Sequence, residues 1–173
     1  SARQRKRRRH ADRAGHRVRS MTAARREIAR GNAERIIPAA HQHRLGHHAV
    51  AHVMEMQGRA QDGVGWMMAR APQWARDDNF FKIHNWWHGA LCHLDLGQFD
   101  RALALYDGPI RGSRSHVVLD LIDASALLWR MHLCGRDVGD RWQELSWCWD
   151  DHADGRLYPF NDLHAAMAYL GAG

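Results

Sequence analysis

Histidine and carboxylate side chains recur along this chain at spacings that put them on single helix faces. His48, His52 and Glu55 stand at i, i+4 and i+7, and His84 and His88 at i and i+4. Asp120 and Asp123 are three apart, and His164 closes the string FNDLH two residues after Asp162. Residues three or four apart on a helix are neighbours, so each of the first three groups presents its polar atoms together. Neutral imidazole and carboxylate are the usual ligands of zinc, iron and manganese. The same residue types serve as a general base and the partner that orients it. His52, Glu55, His84 and His88 are therefore the candidate ligands for a divalent metal, with His48, Asp123 and His164 beside them. The same residues also suit a hydrogen-bonded polar network with no ion, and a chain with 14 histidines places some at i, i+4 by chance.

Other chemistries lack their signatures. The His-Glu-x-x-His order of zinc proteases does not occur, nor do G-x-S-x-G or a glycine-rich phosphate loop. Cys92, Cys134 and Cys148 are odd in number and contain no C-x-x-C pair. They read as reduced thiols of a cytoplasmic protein, not as a disulfide frame or a zinc knuckle. No apolar run approaches the roughly 20 residues of a membrane-spanning helix, so no membrane partner is expected.

The elements that must position these side chains are helices. Ala49, Val50, Val53, Met54 and Met56 follow helical spacing, and Gly58 breaks the run. A second helix is expected from about Ala60 to Ala71, stopped by Pro72. The next segment repeats the design. Trp86, Trp87, Ala90, Leu91 and Leu94 line one helix, and Gly97 turns the chain. Phe99, Ala102, Leu103 and Tyr106 line another, which Pro109 should end. A third unit runs from Val117 to about Trp149, with Leu121, Ala124, Leu127, Leu128 and Met131 inward and Gly135 at its turn. Gly58, Gly97 and Gly135 are spaced by 39 and 38 residues, a period in the range of helical solenoids. The stripe of Trp86, Trp87, Trp129, Trp142, Trp147 and Trp149 is expected in the core, because apolar helix faces are normally buried.

Charge divides the chain. Residues 1–44 carry 14 Lys and Arg against 3 Asp and Glu, while the rest carries 11 against 16, so the net +6 belongs to the head alone. That head holds too little apolar surface to offset ordering entropy, and a disordered or non-native stretch is expected there. Its run Arg5 to Arg9 could neutralise phosphates, but no aromatic side chain is interleaved for base stacking. Nucleic-acid binding through residues 1–20 is accordingly not the expected role.

The strings HAVAHVMEMQGR, HNWWHGALCHLDLGQFDRALALYD, LDLIDASALLWR, VGDRWQEL and FNDLHAAMAYLGAG, in that order, resemble the tetratricopeptide repeat protein 38 family over about Leu45 to Gly173. The resemblance implies an all-α fold of tetratricopeptide-like helix hairpins, an α-solenoid, with a period of about 38–39 instead of the usual 34 or so. It implies no established catalytic activity. It also implies a longer protein with further helices on both sides, so this chain is expected to be a piece of one. In such hairpins the face carrying His48, His52 and Glu55 lines the concave groove, and stacking brings it beside His84 and His88. The primary expectation is a binding scaffold that takes a protein or peptide partner in that groove. The alternative is a His- and carboxylate-lined site for a small molecule or metal, with hydrolase-type or other acid–base chemistry.

Overall fold

Three helices end on a glycine with positive φ: Gly58 at +66°, Gly97 at +69° and Gly135 at +69°. At the first, the Gly58 N–H donates to the Glu55 carbonyl at 3.0 Å and the Arg59 N–H to the Met54 carbonyl at 2.9 Å. Gly97 and Gln98 make the same pair of bonds to Leu94 and His93, as do Gly135 and Arg136 to His132 and Met131. This is the Schellman closure, in which a left-handed residue satisfies carbonyls that the helix end leaves open. The expected turns are thus present with one shared geometry.

The computed structural model describes residues 44–152 and 158–173. The expectations for the basic head fall on residues 1–43, outside the described residues, except that Arg44 opens the first helix. Among the described residues the chain is all-α. The helices are α1 (Arg44–Met56), α2 (Ala60–Trp74), α3 (Lys82–Asp95), α4 (Phe99–Leu105), α5 (Val118–Leu133), α6 (Arg141–Asp150) and α7 (Pro159–Ala172). A π-helical turn, Tyr106–Ile110, continues α4. None of these helices is long and apolar enough to cross a membrane.

Each helix packs on its successor, α4 reaching α5 through the π turn, and α1, α3, α5 and α7 also lie side by side in sequence order. Two apolar clusters fill the space between them. One gathers Val50, Ala51, Met54, Trp66, Met67 and Trp74. The larger runs from Ala90 and Leu91 through Tyr106, Leu121 and Leu128 to Trp142, Trp149 and Ala168. Trp86 packs against both clusters, so α3 joins the two halves of the core. Close approach of α2 to α3 needs Gly63, where a Cβ would fall 2.6 Å from Cys92 Sγ.

Three expectations are corrected. Pro72 does not stop α2, which continues to Trp74. Trp74 is fully buried and meets Trp86 edge-on at 4.8 Å, which anchors the last turn beyond the proline. Pro109 lies inside the π turn and does not end the helix before it. Of the tryptophan stripe, Trp142 and Trp149 are buried and Trp86, Trp87 and Trp129 partly so, but Trp147 is 63% exposed. On α6 it falls between the buried Ser146 and Cys148, on the face turned away from α5 and α7.

A Cβ at Gly97 would meet nothing within 4 Å, so the penalty of a side chain there is backbone strain alone. Gly97→Ala should lower the unfolding free energy by about 1 kcal/mol, the scale of a left-handed non-glycine residue. Equilibrium unfolding in urea checks this, and an unchanged midpoint contradicts the Schellman assignment.

Candidate functional site

α1 and α3 lie side by side, and each turns one pair of histidines toward the other helix. His48 and His52 come one helical turn apart from α1, His84 and His88 likewise from α3. One ring nitrogen from each of these four residues lies within 4.8 Å of those of the other three. His48 Nε2 and His52 Nε2 are 2.9 Å apart, and the His48, His52, His84 and His88 rings meet at centroid distances of 4.4 to 6.5 Å. His88 is buried, His48 and His84 are half-buried and His52 is exposed, so the cluster opens to solvent on the His52 side.

Two carboxylates stand behind the α3 histidines. His84 Nδ1–H donates to both oxygens of Asp123 on α5, at 2.9 and 3.0 Å, and Asp123 is buried. This bond fixes the tautomer of His84 and leaves Nε2 with its lone pair. Glu55 Oε2 is 3.3 Å from His88 Nδ1. The approach is close enough for an ion pair but is not directed as a hydrogen bond, and both ring nitrogens of His88 lack a hydrogen-bond partner in the protein. Aromatic rings frame the cluster: Phe81 stacks on His48 with planes 17° apart, and Trp87 on His84 at 14°.

Two of the imidazoles, His48 and His88, are held neutral. Burial, with the neighbouring His84 and His52, lowers His48 from 6.5 to about 4. Burial, with His84, His52 and His48, lowers His88 to about 2. Burial raises the Asp123 carboxyl, against the pull of its bond to His84. Each imidazole lone pair not engaged by a proton is available as a metal ligand near neutral pH.

The distances suit one ion. Two nitrogens each about 2.1 Å from a metal stand roughly 3.0 Å apart when adjacent at right angles and about 4.2 Å apart when opposite. The 2.9 Å between His48 and His52 matches the adjacent case. The 4.8 Å limit on the set is wider than that of opposite ligands, so the rings would have to close in on a bound ion.

Of the residues singled out from sequence, His48, His52, His84 and His88 therefore come together. Glu55 sits at the rim and Asp123 behind His84. His164 does not join them. Its Nδ1–H donates to the Phe160 carbonyl of its own helix at 2.7 Å, and its ring reaches Asp123 only as a nearby charge. Asp120 acts on Asp123 in the same indirect way, and Asp162 is exposed. Phe81 was not singled out, and Trp87 was read only as core. Both follow from helical spacing, since Phe81, His84, Trp87 and His88 are three or four apart. No protein-family model and no solved structure matches this chain.

The lowered histidines give stability a pH dependence of definite sign. Unfolded, His48 and His88 take up protons near 6.5; folded, they do so only near 4 and 2. Below 6.5 the unfolded chain binds more protons, so their contribution is complete above 6.5 and lost as pH falls toward 4. Raised Asp123 acts in the opposite sense and lies among carboxylates, so the test stays above their range. The thermal midpoint should fall between pH 7.5 and 5, whereas a flat or rising midpoint contradicts neutral burial.

Proposed function

We propose that this chain is a helical-repeat protein of the tetratricopeptide-like, α-solenoid kind whose adjacent first helices hold a divalent transition metal. The proposed ligands are His48, His52, His84 and His88. The observation that carries this reading is the convergence of four ring nitrogens within 4.8 Å. Three further features support it. His84 carries a carboxylate behind it in the arrangement common to metal-ligating histidines. His88 has ring nitrogens that no protein group satisfies. Asp123 and Glu55 flank the four rings, and two carboxylates favour positive charge between them.

Imidazole ligation suits zinc, copper, iron and nickel alike. A bound ion of this type would supply a Lewis acid and an acidified water. That water would sit on the solvent-facing side at His52, with Glu55, partly exposed at the rim beside His88, as its base. This is the hydrolase-type branch of the reading.

A second reading, a scaffold that binds a protein or peptide partner in its groove, rests on the packing order. Successive helices pack on one another, with the π turn linking α4 to α5, α1, α3, α5 and α7 lie side by side in order, and the Schellman turns recur at 39 and 38 residues. That pattern supports membership of the tetratricopeptide repeat protein 38 family, as do the sequence strings. The two readings are compatible, with the metal site in the wall of the groove. Free Cys92, Cys134 and Cys148 support a cytoplasmic setting.

Elemental analysis of untagged protein tests the metal reading, with a His52→Ala/His88→Ala double variant alongside. Wild type should carry close to one equivalent of a transition metal, and the variant should lose it while keeping its helical circular dichroism. Asp123→Asn should weaken the metal about tenfold or more, the usual effect of removing a carboxylate behind a ligating histidine. Equal metal content in wild type and double variant contradicts the assignment, because it places the ion on other histidines.

A further inference from the structure

A second reactive set lies on α6 and the segment that precedes α5, apart from the four histidines. Glu144, Cys148 and Asp151 stand at i, i+4 and i+7 and share one face. The chain from 111 to 117 folds over that face. Cys148 Sγ lies 3.9 Å from His116 Nε2, and His116 Nδ1–H donates to Asp151 Oδ2 at 2.8 Å. The Asp151 bond leaves the Nε2 lone pair facing the sulfur. On the inner side, Arg111 Nη2 donates to Cys148 Sγ at 3.0 Å while the same guanidinium grips Glu144 at 2.7 and 3.2 Å, and the Cys148 thiol itself donates to Glu144 Oε1 at 3.4 Å. A nucleophile, a base within reach and a carboxylate that orients the base make up the constellation of an activated thiol. The buried arginine adds a fixed positive charge where thiolate charge develops.

Access decides what the thiol meets. Cys148 is 6% exposed. A cavity of about 480 Å³ lies beyond Arg111 and Glu144, walled also by Tyr106, Asp107 and Arg141, and Cys148 is not in its wall. So little of Cys148 is exposed that the sulfur offers no seat to an acyl group or peptide, and a small two-oxygen oxidant is the reactant that best matches such a site. We infer that Cys148 is a peroxide-reacting thiol, with His116 as its base and Arg111 as the cation that holds the developing thiolate.

In this step His116 Nε2 takes the thiol proton and the sulfur attacks one oxygen of hydrogen peroxide. The O–O bond breaks, and the departing hydroxide recovers the proton from His116 and leaves as water. Cys148 is oxidised by two electrons to the sulfenic acid while the peroxide is reduced. Burial pushes the Cys148 thiol up, with Glu144 adding to it against the pull of Arg111, and His116 takes the proton as the sulfur attacks.

The chain carries its own controls. Cys134 is exposed, and Cys92 is buried with its thiol pushed up to about 11. The reduced full chain is treated with substoichiometric hydrogen peroxide and quenched with catalase. It is then unfolded in guanidinium containing dimedone to trap sulfenic acid, and peptide mass spectrometry reads each cysteine. Cys148 should be trapped about tenfold or more ahead of both others, the low end of a general-base contribution. A bulky maleimide on the native protein should instead label Cys134 first. His116→Gln, at an exposed position, should slow Cys148 about tenfold and leave Cys134 unchanged, with the thermal midpoint confirming the fold. Trapping of Cys134 ahead of Cys148, or an unaltered Cys148 rate in His116→Gln, overturns the inference.

Discussion

The hydrogen bond from His84 to Asp123 is the interaction on which the arrangement of polar groups depends. It crosses from α3 to α5 and places a buried carboxylate behind an imidazole. Without it, Asp123 would be an uncompensated carboxyl in the middle of an apolar helix face, between Leu121, Ala124 and Leu127. With it, the His84 ring is held flat against Trp87 and turned toward His48 and His88. The packing of α1 on α3 then brings His48 and His52 to the same place. Orientation of one ring and register of one helix pair together account for the cluster.

Four imidazoles so close together are an unusual way to fill a helix interface. Burial is the main reason His88 is lowered further than His48, and the other imidazoles add to it, since protonating one disfavours protonating the next. Neutral rings still need their nitrogens satisfied, and His88 lacks a partner for both. A single cation shared among the rings would satisfy the unpaired nitrogens and the flanking carboxylates at once. That economy of one ion for several unmet groups is the physical basis of the metal assignment.

Helical periodicity made much of this legible in advance. The i, i+4 histidine pairs lie on common faces because the helix repeats every 3.6 residues. The turns were legible because a left-handed position selects glycine, at Gly58, Gly97 and Gly135. What sequence could not supply was the contact between hairpins. His164 was grouped with the others by residue type, yet its ring is spent on the Phe160 carbonyl. Pro72 and Pro109 were read as stops because proline withholds an N–H. Burial of Trp74 and Ile110 just beyond them keeps the chain helical a little further. The Cys148 set was illegible for a different reason: Arg111 and His116 come from a segment shaped by the π turn and by Arg114 at φ +48°, and no periodic pattern announces them.

The atoms that surround the ion distinguish a four-histidine centre from any other. X-ray absorption at the metal edge of the isolated protein, read for the shell of nearest atoms, is the most direct measurement. Imidazole nitrogens at about 2.0–2.1 Å, with multiple scattering from the rings, are what His48, His52, His84 and His88 predict. A shell of sulfur at about 2.3 Å, or an oxygen-only shell without imidazole scattering, would contradict the four-histidine site and place the metal elsewhere on the chain.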